Sequence, residues 1–197
     1  MNEWWTSRQK ARLAMIALLA LAACGDDETG SGGQGGEGGG GGSGGQDAFA
    51  NCHKGDLETD LADDMPMMGP GIDPDTGELA PGTYYVATTY LALNPEKRER
   101  LGEVSGPVIE SLQTSAGLIA VITSQSESCQ SFRTMTVWQS EEDMMTFVTG
   151  AAHAAAMAET SELSRGTSNT ISWEGDASTA NWEEAATRLG AEPGGDL

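Results

Sequence analysis

The sequence predicts an α+β domain whose elements follow the order β-α-β-β-α-β, the order of a ferredoxin-like fold, with a further helix at the C-terminal end. Two observations predict it. Runs of β-branched and aromatic residues alternate with segments in which apolar residues recur every three or four positions, and Gly, Pro and Asn separate the two kinds of segment. These patterns occupy residues 83–176, and residues 177–197 would hold the last helix and a tail.

The first strand and helix have the clearest boundaries. Thr83–Leu93 (TYYVATTYLAL) is rich in β-branched and aromatic residues and predicts a strand. Asn94 and Pro95 then supply a helix cap and a first helical position. The apolar residues that follow at helical spacing are Leu101, Val104, Val108 and Leu112. Within this helix, Gly106-Pro107 predicts a kink or a break.

Two further strands follow. Gly117 is expected to end the first helix, and Leu118–Ser124 (LIAVITS) predicts a second strand. Because this strand is apolar on both faces, we expect it in the centre of the sheet. After a polar turn, Phe132–Trp138 (FRTMTVW) predicts the third strand.

The second half of the domain repeats the pattern. Ser140 and the three acidic residues after it predict a capped helix with an acidic first turn, and its buried face would carry Met144, Phe147, Val148 and Ala151. Thr170–Trp173 predicts a short fourth strand. Ser178 is expected to cap a last helix that stops at Gly190. Such a sheet has one helix-covered face and one bare face, which we expect to meet a second copy, a ligand or both.

Residues 1–23 have the composition of an export leader that is cleaved. Arg8, Lys10 and Arg12 precede an apolar run that is too short to span a bilayer. The run ends in Leu21-Ala22-Ala23-Cys24, which resembles a lipobox. The resemblance implies cleavage before Cys24, lipidation of its sulfur and acylation of the new N-terminus, and hence a protein anchored to a membrane of the cell envelope, facing the periplasm or the exterior. The alternative is an ordinary secretory signal with a chance cysteine.

Two segments separate this leader from the domain. Residues 24–45 are dominated by glycine and should form a disordered tether behind the lipidated cysteine. Residues 46–82 are acidic, rich in turn formers and expected to be irregular. Asp73 and Asp75 have the spacing that begins a calcium loop, but Gly77 stands at the third ligand position, so a β-turn is favoured and no metal site is predicted.

Cysteine usage predicts one disulfide. With Cys24 committed to lipid, Cys52 and Cys129 remain as a pair in an oxidising compartment. Their bond would dock the acidic segment onto the domain. The competing interpretation, half of a metal site at Cys52-His53, is weaker because the chain has two histidines and no CxxC pair.

The charge balance excludes one class of partner. The chain has 10 Lys and Arg against 30 Asp and Glu, a formal net charge of −20. A surface this acidic cannot neutralise phosphates, so we expect no nucleic-acid binding.

The stretch SFRTMTVWQSEEDMMTFVTGAAHAAAMAE (131–159) resembles the antibiotic biosynthesis monooxygenase-like domains of the dimeric α+β barrel superfamily. The shared features are a strand ending in Val-Trp, then Ser-Glu-Glu-Asp, an aromatic residue, a break of small residues and Ala-His-x-Ala-Ala-Met. The resemblance extends over Tyr84–Gly175 and implies a homodimer with a small-molecule cavity between each sheet and its helices. Some relatives oxygenate polycyclic aromatics without metal or flavin, so no cofactor is expected.

Some relatives degrade haem, but the residues that this activity needs in those relatives do not align with suitable residues here. Their iron-ligating histidine falls near Met157, whereas His153 lies about one turn earlier, and their companion tryptophan falls near Phe147. Haem degradation is therefore not expected.

His153 is the candidate acid or base, since no other group in residues 131–159 titrates near neutral pH. A straight helix would place it on the outer face, but Gly150 is expected to interrupt the helix. A packing role is favoured over a cavity-lining role. The further cavity candidates are Trp138, Tyr85, Tyr90, Arg133 and Phe147. Core packing is the favoured role of the tryptophan and the tyrosines, and Arg133 is expected to pair with Glu141 or Glu142 rather than to orient an anionic substrate.

The sequence therefore predicts a lipid-anchored, extracytoplasmic protein whose domain binds a small apolar or aromatic molecule and resembles cofactor-independent oxygenases. The alternative is a non-catalytic module that uses its sheet face for assembly or partner binding. A cavity of about 300 Å³ or more lined by Trp138, a tyrosine and His153 would favour ligand chemistry. A sheet face filled by Phe, Met and Leu would favour assembly.

Overall fold

The structure of the protein is a computed structural model that describes residues 49–61 and 66–193. The predicted leader, the lipidated Cys24 and the glycine-rich tether lie outside the described residues. None of the helices in the described part of the chain is long and apolar enough to cross a bilayer.

Four antiparallel strands form one sheet, in the order β2-β3-β1-β4. The strands are β1 (Thr83–Leu93), β2 (Leu118–Ser126), β3 (Ser131–Trp138) and β4 (Ser164–Asp176). With the helices that connect β1 to β2 and β3 to β4, this order is that of the ferredoxin-like fold, and the predicted fold class is confirmed. The fourth strand is 13 residues long, much longer than the segment Thr170–Trp173 that its aromatic and β-branched residues predicted.

The prediction that β2 is central was wrong, because β2 lies at the edge of the four-stranded order. Its apolar residues are nevertheless covered. Met68 forms an antiparallel bridge with Val121, with N–O distances of 2.9 and 2.7 Å, and Gly71 donates to the carbonyl of Ile119. The segment around Met68 therefore protects an edge that would otherwise offer unpaired backbone groups.

Helix α1 (Arg98–Gln113) begins after a 3-10 turn at Pro95–Lys97, which Asn94 caps as predicted. The expected break at Gly106-Pro107 does not occur. Pro107 points to solvent, where the carbonyl that loses its helical partner can bind water, while the opposite side of the helix packs on the sheet. Packing on the sheet therefore outweighs the local preference for a break.

Three short helices follow β3. Helix α2 (Glu141–Val148) is capped by Ser140 as predicted, α3 (Ala151–Ala158) starts after Gly150, and α4 (Thr160–Leu163) leads into β4. Together with α1, they lie on one side of the sheet, which we call the near face. The helix interruption expected at Gly150 is therefore present, and it resets the direction of the residues that follow.

The opposite side of the sheet, the far face, is not bare, so this expectation was wrong. Helix α5 (Trp182–Ala191) packs there through Ala185, in a cluster with Met135 and Val137, and through Leu189, in a cluster with Tyr90 and Ala92. Asn181, not Ser178, caps this helix, and Gly190 lies inside it. The apolar positions of the C-terminal helix thus find their partner within the same chain.

Residues 49–61, which we call the strap, cover a further part of the far face, and Met67, Ile72 and Leu79 pack on its apolar cluster as well. Cys52 is bonded to Cys129, with 5.5 Å between their Cα atoms, so the predicted disulfide is confirmed. Gly55 crosses Gly190 of α5 so closely that a Cβ on Gly55 would lie 2.7 Å from the Cα of Gly190. The strap therefore rests on α5 at a point where both segments of the chain need glycine.

Polar contacts hold the end of the strap. The carboxylate of Asp60 accepts hydrogen bonds from the hydroxyls of Ser126 and Ser128 and from the amide of Ser128, at 2.6 to 2.8 Å. These bonds lower the pKa of Asp60 from 3.8 to about 2. The strap is thus tied to the β2–β3 hairpin by charge-assisted hydrogen bonds as well as by sulfur.

We predict that the double variant Cys52→Ser/Cys129→Ser is less stable than the wild type by about 2–5 kcal/mol, because a bond across 77 residues restricts the unfolded chain. The free energy of unfolding would be measured in urea. The matched control is the wild type after reduction, which loses the same bond without a change of side chain. Equal midpoints for the wild type and the double variant would contradict the prediction.

Candidate functional site

A cavity of about 200 Å³ lies between the near face and the helices. Alternation along β1 directs Thr89 and Leu91 to this side, and β2 and β3 contribute the residues beside them in register. The helical wall is apolar and comes mainly from α1, through Leu101, Val104, Val108, Ile109 and Leu112. The same residues whose spacing predicted the amphipathic helix therefore form the roof of the cavity.

His153 lies at one end of this cavity. Its Nδ1 is 3.1 Å from the carbonyl oxygen of Val148, and its ring packs edge-on to Phe147 with 5.0 Å between centroids. A carbonyl only accepts, so Nδ1 carries the proton and Nε2 is left as the acceptor of the neutral imidazole. The break at Gly150 brings His153 to the inner side, so its packing role and its cavity-lining role coexist.

Burial lowers the pKa of His153 below its ordinary value of 6.5, although the hydrogen bond to Val148 acts in the opposite direction. The ring is therefore neutral at physiological pH. A neutral imidazole with an open Nε2 can accept a proton from a bound molecule, which an imidazolium cannot.

Phe147 and Trp138 extend this end of the site. Phe147 lines the cavity, and its ring centroid is 5.3 Å from that of Trp138. Trp138 is wholly buried behind it and does not line the cavity. Its indole N–H donates to the hydroxyl of Thr136, and Thr136 lines the cavity. The tryptophan thus supports the cavity wall from behind.

The tyrosine and arginine candidates lie elsewhere. Tyr85 is on the near face, packed against the core cluster of Trp138, and its hydroxyl accepts from Ser172. Tyr90 and Arg133 are buried on the far face, with the guanidinium 4.6 Å from the centre of the tyrosine ring. None of these three residues lines the cavity. Of the six candidate residues, only His153 and Phe147 line it.

The sequence suggested that Arg133 pairs with Glu141 or Glu142, and this prediction was wrong. Its Nε donates to Glu58 of the strap at 2.8 Å, and its other nitrogens donate to the carbonyls of Lys54 and Asp56. The side chains of Arg133 and Glu58 are 1% and 4% exposed. Alternation on β3 turns Arg133 away from the helices, which is why the acidic first turn of α2 is out of its reach.

Sequence reasoning missed the polar floor of the cavity. Four threonines (Thr89, Thr123, Thr134 and Thr136) line it from three strands. The spacing of two between Thr134 and Thr136 was visible, but β-branched residues in strands are so common that the pattern gave no functional signal. The opposite end of the cavity holds Arg98, whose guanidinium binds Gln125, Glu127 and Gln130.

No group of three or more His, Cys, Asp or Glu side chains in residues 49–61 and 66–193 could hold a metal ion. At the position where a calcium loop was weighed, the carboxylate of Asp73 accepts from the amides of Asp75 and Thr76, and Gly77 has a positive φ of 74°. This is the favoured β-turn.

Of the features expected of a ligand site, only His153 is present, because the cavity is smaller than 300 Å³ and neither Trp138 nor a tyrosine lines it. Its size still suits a small ring system. An apolar cavity of about 150 Å³ in another protein holds benzene. A cavity of about 200 Å³ therefore accommodates a molecule of one or two rings.

We predict that the His153 imidazole titrates below pH 6.5, because burial disfavours its charged form. The unfolded chain binds this proton more readily, so the contribution of His153 to stability is complete above about pH 6.5 and declines as the pH falls below it. NMR titration of the two histidine rings would test this, with His53→Gln assigning the signals. A midpoint at or above 6.5 for His153 would contradict the prediction.

No protein-family model matches the sequence, and no curated protein sequence matches it. Among solved structures, a similar one is a conserved protein from Methanosarcina mazei Go1, which is 13% identical over 46% of this chain and 90% of that chain, with a TM-score of 0.43. Another is a protein from Shewanella oneidensis, which is 12% identical over 50% of this chain and 97% of that chain, with a TM-score of 0.44. A third is described as an antibiotic biosynthesis monooxygenase and is 8% identical over 46% of this chain and 97% of that chain, with a TM-score of 0.42. The ferredoxin-like fold of this chain rests on its own strand order and register.

Proposed function

We propose that this protein is a lipid-anchored, extracytoplasmic protein whose α+β domain binds a small apolar or aromatic molecule between its sheet and its helices. We further propose that it oxygenates this molecule without a cofactor. One observation carries the proposal: a largely apolar cavity ends at a neutral histidine whose Nε2 is open.

The proposed chemistry uses the substrate itself as the reductant. A molecule with an activated CH₂ group or a phenolic hydroxyl transfers a proton to Nε2 of His153, and the resulting anion gives electrons to dioxygen. One oxygen atom remains in the product, as a carbonyl at an activated CH₂ group or as a ring hydroxyl of a quinone, the other leaves as water, and all four electrons come from the substrate. An apolar site favours the step because it excludes bulk water from the reactive anion.

Phe147 and the helical wall have a positioning role in this proposal. Phe147 stands beside the imidazole, so a flat ring system that stacks on it would present its edge to Nε2. The apolar side chains of α1 would hold the rest of the molecule through burial.

The cellular location is part of the same proposal. The lipobox-like Leu21-Ala22-Ala23-Cys24 and the basic residues before it support export and lipidation. The Cys52–Cys129 bond agrees with an oxidising compartment. Residues 24–45 would then be the tether between the membrane and the domain.

A homodimer is implied by the resemblance to barrel-forming domains, and we include it in the proposal. Because α5 and the strap cover the far face, a second copy would have to bind at another surface. The same covering leaves no open sheet face for the alternative, a non-catalytic module that binds partners there. We therefore favour ligand chemistry in the cavity.

We predict that the protein accelerates oxygen uptake by 1,4-dihydroxynaphthalene, which would give hydroxynaphthoquinone and water, above the rate without protein. His153→Ala should lower the accelerated rate on the order of 10²-fold, because the general base is lost. His53→Ala is the matched control, since it removes the other histidine of the chain, which lies in the strap. Equal rates for the wild type and His153→Ala would remove His153 from the mechanism.

We predict that protein from the membrane fraction has the intact mass of a chain that starts at Cys24 and carries a diacylglyceryl group and one further acyl chain. Globomycin, which blocks the lipoprotein signal peptidase, should leave the leader in place. Cys24→Ala should abolish lipidation. The full unmodified polypeptide in the cytosol, with reduced thiols, would contradict the proposed location.

A further inference from the structure

A row of four threonines crosses the sheet at one level of the near face. Thr123 is paired in register with Thr134, Thr134 with Thr89, and Thr89 with Thr170. The first three line the cavity, whereas Thr170 is exposed outside it. The row places hydroxyl groups across the floor of an otherwise largely apolar space.

One of these hydroxyls is buried and has no protein partner. The Oγ1 atoms of Thr89 and Thr170 lie 3.0 Å apart and bond to each other. The buried Oγ1 of Thr123 has no hydrogen-bond partner, and within the described residues Thr134 makes hydrogen bonds only through its backbone. A buried hydroxyl without a partner is unfavourable, so that of Thr123 requires an explanation, and Thr134 places a second hydroxyl beside it on the neighbouring strand.

The opposite wall does not supply the partner, although Ser105 of α1 and Thr160 of α4 are among its residues. Leu101, Val104 and Val108 of α1 face the floor and carry no polar side-chain atom. A threonine hydroxyl both donates and accepts, and rotation about one side-chain bond redirects it toward the cavity. A ligand oxygen that reaches the floor would therefore satisfy these hydroxyls, whether it belongs to a hydroxyl or to a carbonyl.

The arginine that lines the cavity is already paired, so it offers no free charge to an anionic group at the floor. Arg98 lies at the end of the cavity, and its guanidinium is bound by both carboxylate oxygens of Glu127 and by Gln125 and Gln130. The chain as a whole carries a net charge of −20. The floor is therefore suited to an uncharged oxygen.

We infer that Thr123 and Thr134 are specificity-determining residues, which select apolar ring molecules that carry an uncharged hydroxyl or carbonyl oxygen over hydrocarbons of the same shape. The inference rests on the proposed function, because it concerns the same cavity. It assigns to the floor a role separate from that of His153, which lies at the end of the cavity.

The test compares 1-naphthol with 1-methylnaphthalene, two probes that differ by a hydroxyl in place of a methyl group. Isothermal titration calorimetry on the full chain with its disulfide intact gives the ratio of the two association constants. Thr123→Val/Thr134→Val should shift this ratio toward 1-methylnaphthalene about tenfold, the net effect of one hydrogen bond. Thr187→Val, an exposed change on α5, should leave the ratio unchanged.

The serine variant Thr123→Ser/Thr134→Ser keeps both hydroxyls and should keep the ratio of the wild type, even if the valine variant fails to fold. Binding of 1-methylnaphthalene by each variant shows that its cavity is intact. An unchanged ratio in a valine variant that binds both probes, or a tenfold shift in the serine variant, would overturn the inference while leaving the proposed function in place. If the wild type binds neither probe, the proposed function fails, and the inference fails with it.

Discussion

The buried ion pair between Arg133 and Glu58 is the interaction on which the rest of the architecture depends. A guanidinium in the middle of a sheet is costly unless a carboxylate and further acceptors surround it. In the described chain, these come from the strap, as Glu58 and the carbonyls of Lys54 and Asp56. The strap therefore has to lie on the far face, and it carries Cys52 to Cys129.

The two faces of the sheet consequently have different roles. On the far face, the strap and α5 complete a packed layer, in which Ala185 and Leu189 are fully buried. On the near face, the helices leave a cavity over a floor of threonines. A sheet that is sealed on one side can hold an open space on the other, because its backbone ladder and its far-face core fix the positions of the floor residues.

Local patterns predicted most elements and failed where tertiary packing outweighed them. Thr83–Leu93 and the Ser140 cap were predicted correctly, since both depend on residues within a few positions. Pro107 was expected to break α1, but it faces solvent on a helix whose other side packs on the sheet. The partner of Arg133 was predicted wrongly because Glu58 lies 75 residues away, and sequence spacing says nothing about such a pair.

By itself, the sequence determined the order of strands and helices, the caps at Asn94 and Ser140 and the disulfide, because period, capping residues and the pairing of two cysteines are local or countable properties. Only the tertiary structure decided that the far face is covered, that His153 turns inward after Gly150, and that Thr123 and Thr134 stand side by side under an apolar roof. These features depend on which segments meet across long stretches of chain. Burial and the satisfaction of buried polar groups settle that choice, and neither can be read from neighbouring residues.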